Sequence, residues 1–281
     1  MALRTRRIRK LFIYVPVAFF CFFSASPFIV MIINTFKQDA DLYRPKNNPF
    51  IYNIPPTLEH LELLFLRTNY PLFLKNSLLV GVTVVIITLA ISIPAAYSLA
   101  RLTGRWGERS GILLFLVYLV PPTLLFIPLF RIVARLGLVN SVWSLVVVYP
   151  TISIPFSIWL LMGFFKSIPL DLEEAAMVDG YSRLAAFLKV VLPLTGPGII
   201  AVVVVTFTLT LHEFIYALTF ISDSTQRTIS VGVPNELVLG DVFFWQSLLA
   251  AAVIVAVPVS VVYNLFLDRL VAGFTMGAVK G

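Results

Sequence analysis

Ionisable residues cluster along the chain and leave long intervals without any. Residues 11–36 and 76–100 hold 26 and 25 uncharged positions, 111–130 holds 20, and 141–165 holds 25. Residues 190–211 add 22 and 242–267 add 26. A helix rises about 1.5 Å per residue, so roughly 20 apolar residues cross a hydrocarbon core of about 30 Å. All six intervals are long enough. They lack the two-residue alternation of barrel strands, and only a helix then satisfies its own backbone in lipid. The pattern predicts an all-α membrane protein: one transmembrane domain over 1–281, with six transmembrane helices near 11–36, 76–100, 111–130, 141–165, 194–220 and 242–267.

Composition agrees. The chain is 59% hydrophobic and 12% charged, against about 45–50% and about 25% in soluble domains. So little charge cannot coat a soluble globule of 281 residues, and 24 Phe exclude disorder. A single cysteine excludes an internal disulfide framework. The net charge of +7 is explained by topology, not by nucleic acid. With the amino terminus in the cytoplasm, 13 of the 21 Lys and Arg fall on inner segments, led by Arg4, Arg6, Arg7, Arg9 and Lys10. Both termini are then cytoplasmic. The first interval far exceeds the roughly 7–15 apolar residues of a signal peptide and reads as a retained helix.

Pro16, Pro27, Pro94, Pro121, Pro122, Pro155 and Pro258 fall inside these spans and predict bends. Two outer loops are long. Residues 37–75 read as extended chain with one short helix from a Thr57 cap to Leu66, and 221–246 carry a turn signal at Pro234-Asn235. Residues 131–138 are amphipathic, with Arg131 and Arg135 placed to snorkel at the outer interface. Trp106, Trp143 and Trp245 sit near span ends, as interfacial aromatics do.

The inner loop at 166–193 has a different character. It packs Asp171, Glu173, Glu174 and Asp179 into nine residues. Ser167, Pro169 and the early acids predict a helix start. Asp179-Gly180 predicts its stop, and Ser182 caps a second helix ending before Pro193. Two short helices with a glycine between them protrude into the cytoplasm, with Ala175 and Ala176 small enough for another surface to approach.

The run Glu174-Ala175-Ala176, three residues, Gly180, nine residues, Val190, one residue, Leu192-Pro193 resembles the EAA loop of ABC-importer permeases, with Val190 where Ile is usual. Residues 271–281, the stretch from Ala95 to Arg101, Asn76-Ser77 and 214–220 are similar to the MalG-like sugar permeases. The resemblance covers nearly the whole chain and implies the type I ABC-importer permease fold of the binding-protein-dependent carbohydrate importers. It further implies a second related permease subunit, two ATP-binding subunits beneath, and an extracytoplasmic sugar-binding protein, in the inner or plasma membrane of a bacterium or archaeon. Glu173, Glu174, Ala175, Ala176, Asp179, Gly180, Leu192 and Pro193 would form the ATPase-coupling loop. The tail at 271–281 would reach toward the paired ATPases. ATP and Mg would be held by those partners, with no cofactor in this chain. The residues themselves agree on one point: no Gly is followed by Lys, so a phosphate-cradling P-loop is missing and energy must come from another polypeptide.

His212-Glu213 interrupts the fifth span about 24 Å up the helix, on the outer side of the midplane. Intramembrane ionisable residues usually face a bundle interior. Tyr216, one turn from His212, would share its face, and Asn76 begins the second span. These four are the candidate substrate-path residues. Threonines 83, 206, 208 and 210 and Ser77 could also line a path. The position after His212 where a metalloprotease helix needs its second histidine is Tyr216, so no metal site follows. The family usually reads Trp-Asn-Glu-Phe here, and this chain reads Leu211-His212-Glu213-Phe214.

A secondary transporter or channel acting without ATP remains an alternative, as does an ABC importer for a glycerol-phosphate-like solute. The topology is tested by cysteine labelling. Thr5→Cys and Ala278→Cys should both be protected from a membrane-impermeant thiol reagent applied outside, and labelling of either overturns the inward placement of that terminus.

Overall fold

The computed structural model describes residues 2–278, with side chains from 12 to 267. The tail residues 279–281 and the side chains of the basic cluster at 4–10 lie outside the described residues. Two compact units divide the chain: 1–68 with 234–258, and 69–233 with 259–281.

In the first unit, α1 (Ala2–Thr35) is a long apolar helix. The segment after it folds around a buried Asp41 at the end of α2 (Asp39–Leu42). Asn47 Nδ2 and Asn53 Nδ2 each donate to Asp41 Oδ1 at 2.8 Å, and the Asn53 backbone N–H donates to Oδ2 at 3.0 Å. Lys37, also buried, lies 3.7 Å from the same carboxylate. Burial pushes the Asp41 carboxyl up, but the hydrogen bonds from Asn53 and Asn47 and the Lys37 charge hold it below the usual carboxylate range. The Thr57 hydroxyl accepts the Glu59 N–H at 3.1 Å in the turn before α3 (Glu59–Leu66), whose N-cap is Leu58 and not the expected Thr57.

In the second unit, α4 (Tyr70–Tyr97) begins six residues earlier than its uncharged interval and runs into a widened π-helical turn, Ser98–Leu102. α5 (Gly104–Tyr118) and α6 (Pro122–Arg135) are bent by 90°. The expectation of one helix over 111–130 is therefore corrected: Pro121 and Pro122 lack N–H groups, and the helix stops before them. The amphipathic piece expected at 131–138 is the end of α6, whose Phe126, Leu129, Phe130 and Val133 pack inward.

α7 (Val142–Ser167) is the axis of this unit. Its upper half packs with Val80, Val84, Tyr216 and Phe220, and its lower half with Ala96, Tyr97, Phe187 and Ala201. Thr88 and Ser153 share a hydrogen bond of 2.7 Å between α4 and α7, both buried. Such interhelical bonds and small facing residues, here Ser92, Ala96 and Ser157, hold apolar helices together where the hydrophobic effect between them is weak.

α8 (Leu170–Val178) is followed by α9 (Arg183–Ala186), a second π-helical turn (Phe187–Val191) and α10 (Leu192–Leu194). The second helix expected at 182–192 thus runs through Pro193 and does not end before it. The Leu192 N–H reaches back five residues to the Phe187 carbonyl, and this wider turn leaves room for the ring. α11 (Gly196–His212) and α12 (Ile215–Phe220) are separated at Glu213-Phe214, so the fifth span expected over 194–220 is also broken. α13 (Ile229–Leu237) contains Pro234 and Asn235, against the expected turn there. The reversal comes at Gly240-Asp241, between β1 (Val238–Leu239) and β2 (Val242–Phe243), an antiparallel pair that is the one departure from an all-α fold among the described residues. α14 (Trp245–Ala278) is the last helix of the described residues.

Among the described residues four helices are long and apolar enough to cross a membrane: Phe12–Thr35, Tyr70–Leu102, Val142–Ser167 and Trp245–Leu267. Six result if the two bent pairs, Gly104–Tyr118 with Pro122–Arg135 and Arg183–Leu194 with Gly196–His212, each count as one.

The widened turn at the end of α4 is pressed by α5 through Gly107. A Cβ there would lie 2.0 Å from the Leu99 carbonyl oxygen and 2.3 Å from Thr103 Oγ1. Gly107→Ala should therefore cost about 1–3 kcal/mol, read as a lower unfolding temperature in detergent. Gly111→Ala, whose Cβ would meet only the flexible tip of Met162, should cost less.

Candidate coupling surface and translocation path

Helix α8 owes its ends to local chemistry. Asp171 and Glu173 sit in its first turn, where carboxylates favour the helix dipole. At the other end, the Gly180 N–H donates to the Met177 carbonyl and the Tyr181 N–H to the Ala176 carbonyl, both at 3.1 Å. This is a Schellman cap, and it needs a left-handed residue. Gly180 supplies it, at φ +92°. The Ser182 hydroxyl then accepts the Ala185 N–H at 3.3 Å and starts α9, as its sequence position suggests.

The two faces of α8 differ. Glu174, Ala175, Asp179 and Gly180 are exposed, and Val178 is 88% exposed. Tyr181 and Leu184 extend this outward face across the cap, and the Lys189 ammonium lies 4.9 Å over the Tyr181 ring. Glu173 and Ala176 turn inward and are buried. Leu192 is half-buried and Pro193 exposed, on the neighbouring helix. The eight residues grouped by sequence thus divide into a presented surface and an anchor. Glu173 accepts a hydrogen bond from the Tyr97 hydroxyl and lies 3.9 Å from Arg101 Nε. Arg101 Nη2 donates to the Ile168 carbonyl at 2.6 Å. The Tyr97 ring packs on Phe187 at 4.3 Å and on Phe165 at 5.8 Å between centroids. Tyr97 and Arg101 were not singled out from the sequence as site residues. Their spacing of four on one helix face was the available signal.

The substrate-path candidates are separated by the break in the fifth span. His212 ends α11, is exposed, and bonds its own helix through the Thr208 carbonyl at 2.8 Å. Glu213 has an extended backbone and caps α12: its carboxylate accepts the N–H groups of Tyr216 at 2.9 Å and Ala217 at 3.1 Å. The same carboxylate accepts the Tyr149 hydroxyl at 2.7 Å, and the Glu213 carbonyl accepts Ser230 Oγ at 2.7 Å. Tyr216 is buried and donates its hydroxyl to the Pro122 carbonyl at 2.6 Å. The shared face expected for His212 and Tyr216 is therefore corrected, because the helix does not continue between them. Asn76, buried near the start of α4, donates to the carbonyls of Thr225 and Arg227, both at 2.9 Å, and Ser77 accepts the Ile229 N–H at 2.8 Å. Beside this clamp, the backbone and hydroxyl of Thr225 donate to Asp223 and hold its carboxyl below the usual range. Tyr149 and Ser230 carried no sequence signal, since their partner lies far along the chain.

The bent apolar helices bear a capped, exposed helix pair, and the family match identifies them as a permease of the ABC-importer class. The chain belongs to the family described as the binding-protein-dependent transport system inner membrane component, which it matches over residues 92–275. It is 37% identical to the sulfoquinovosyl glycerol transport system permease protein SmoH of Agrobacterium fabrum, over 91% of this chain and 88% of that protein. It is 32% identical to the trehalose/maltose transport system permease protein MalG of Thermococcus litoralis, over 98% of each. In fold it matches a chain of a bacterial ABC transporter involved in import of the acidic polysaccharide alginate, with a TM-score of 0.77 over 94% of this chain and 97% of that one, at 18% identity.

If Glu213 is the cap that the geometry describes, Tyr149→Phe should lower stability by about 1.5–3 kcal/mol, the range for a hydrogen bond to a charged group. Thermal unfolding of the purified protein checks this, and His212→Ala, exposed and bonded only to its own helix, should change it little.

Proposed function

We propose that this chain is one of two related permease subunits of an ATP-driven importer, and that its cargo is a sugar: a di- or oligosaccharide, or a related polyol. It crosses a bacterial or archaeal inner membrane six times with both termini in the cytoplasm, each bent pair counting as one span. It forms half of the translocation path and has no ATPase site of its own. Two partner subunits bind ATP and Mg, and an extracytoplasmic sugar-binding protein delivers the cargo. The names of SmoH and MalG, with carbohydrate cargoes in both, support the sugar reading.

One observation carries the coupling role. Glu174, Ala175 and Val178 form an exposed surface on a helix whose end is fixed by a left-handed glycine. A capped helix that presents small and apolar side chains beside a carboxylate suits insertion into a groove on another protein. His212, Glu213, Tyr216 and Asn76 belong to the outer half of the path in this reading, with Glu213, Tyr216 and Asn76 shaping it and His212 free to meet cargo.

The test is reconstitution with the partner subunits and the binding protein in liposomes. Uptake should require internal ATP. Gly180→Val, which forces a β-branched residue into a left-handed conformation at about 1–2 kcal/mol, should cut uptake by about tenfold or more. Glu174→Ala should weaken co-purification of the ATPase subunits. Nucleotide-independent flux through the isolated chain would overturn the reading.

A further inference from the structure

We propose that Arg101 and Tyr97 are positioning residues that turn a displacement of α8 into movement of the second span. The inference rests on the coupling reading above. Of the two adjacent acids on α8, Glu174 faces outward and Glu173 is buried. A buried carboxylate is costly unless it is paired and hydrogen-bonded. Here the satisfaction is incomplete. Tyr97 donates to Oε1, while Oε2 and Arg101 Nε have no hydrogen bond and stand 3.9 Å apart. Both side chains are only 6% exposed. An approach of about 1 Å would convert this separation into a charge-assisted N–H···O bond.

Arg101 is placed to feel that approach. Its other arm holds the Ile168 carbonyl, in the link between α7 and α8, at 2.6 Å. It lies in the π-helical turn Ser98–Leu102, which continues α4 directly. Such widened turns are often found at functional sites, and a second one, Phe187–Val191, meets the first where the Phe187 ring packs on Tyr97. The far part of α4 carries Asn76 and Ser77, which hold residues 225, 227 and 229. One continuous helical segment, Tyr70–Leu102, therefore joins the half-closed pair on the inner side to the outer clamp. The pair is the two-position element that a coupling mechanism requires: separated in the state described, joined when the ATPases press α8 inward.

The experiment uses the complete transporter in liposomes, with sugar taken up per ATP hydrolysed as the readout and co-purification of the ATPase subunits as the measure of docking. Arg101→Gln should retain the ATPase subunits yet move about tenfold less sugar per ATP. Arg101→Lys, which keeps the charge but loses the second arm of the fork, should lose less. Combining Arg101→Gln with Glu173→Gln should lose no more than the worse single variant, since both remove one contact. Normal sugar per ATP in Arg101→Gln would sink the proposal. So would additive losses, or loss of the ATPase subunits in Arg101→Lys, which would make the pair a support for the docking surface alone. A wild-type transporter that neither retains ATPase subunits nor needs ATP removes the coupling reading itself.

Discussion

Hydrocarbon offers no hydrogen bonds, so each backbone N–H and C=O that a broken helix frees must find a partner within the protein. Among the interruptions of its apolar helices, those between α5 and α6 and between α11 and α12 are joined by one group of residues. The first break falls on two prolines that have no N–H to satisfy. The second places Glu213 at the exposed donors of α12, where its carboxylate does the work of a cap. Tyr216, two residues into α12, then reaches the Pro122 carbonyl at the first break. The two interruptions are thus linked through a single side chain, and Tyr149 on α7 ties the cap to the axis of the unit.

The spans were legible because absence of charge over 20 or more residues is a strong signal in lipid. Their continuity was not. Pro121-Pro122 was visible as a bend, but the surrounding interval was long enough to suggest one helix. At Glu213 the one-turn argument assumed an unbroken helix. A carboxylate in a membrane span could line a path or cap a helix, and the break that turns Glu213 onto the N–H groups of Tyr216 and Ala217 decides for the cap. The loop at 166–193 was read more closely because its structure is short-range: Gly180 and Ser182 bond within five residues of themselves. The error there concerned Pro193, since the widened turn that accommodates its ring has no sequence signature in one chain.

Neighbouring acids on α8 show how one short motif serves two environments. Residues 173 and 174 are consecutive, so their side chains leave the helix about 100° apart. One meets Tyr97 in the protein and the other meets solvent. A sequence pattern records both positions equally. The physical difference between them, desolvation against display, emerges only once α4 and the aromatic group of Tyr97, Phe165 and Phe187 are in place.

Asn76 spends both hydrogens of its amide on carbonyls two residues apart, while Ser77 takes the N–H of Ile229. Three bonds at one spot act like a rivet, resisting sliding and peeling alike. The stretch it fastens must therefore travel with α4 as a single plate whenever the molecule changes shape. Daylight at this end of α4 has to open along some other edge of that plate, because parting this seam would strand two carbonyls and an amide hydrogen together.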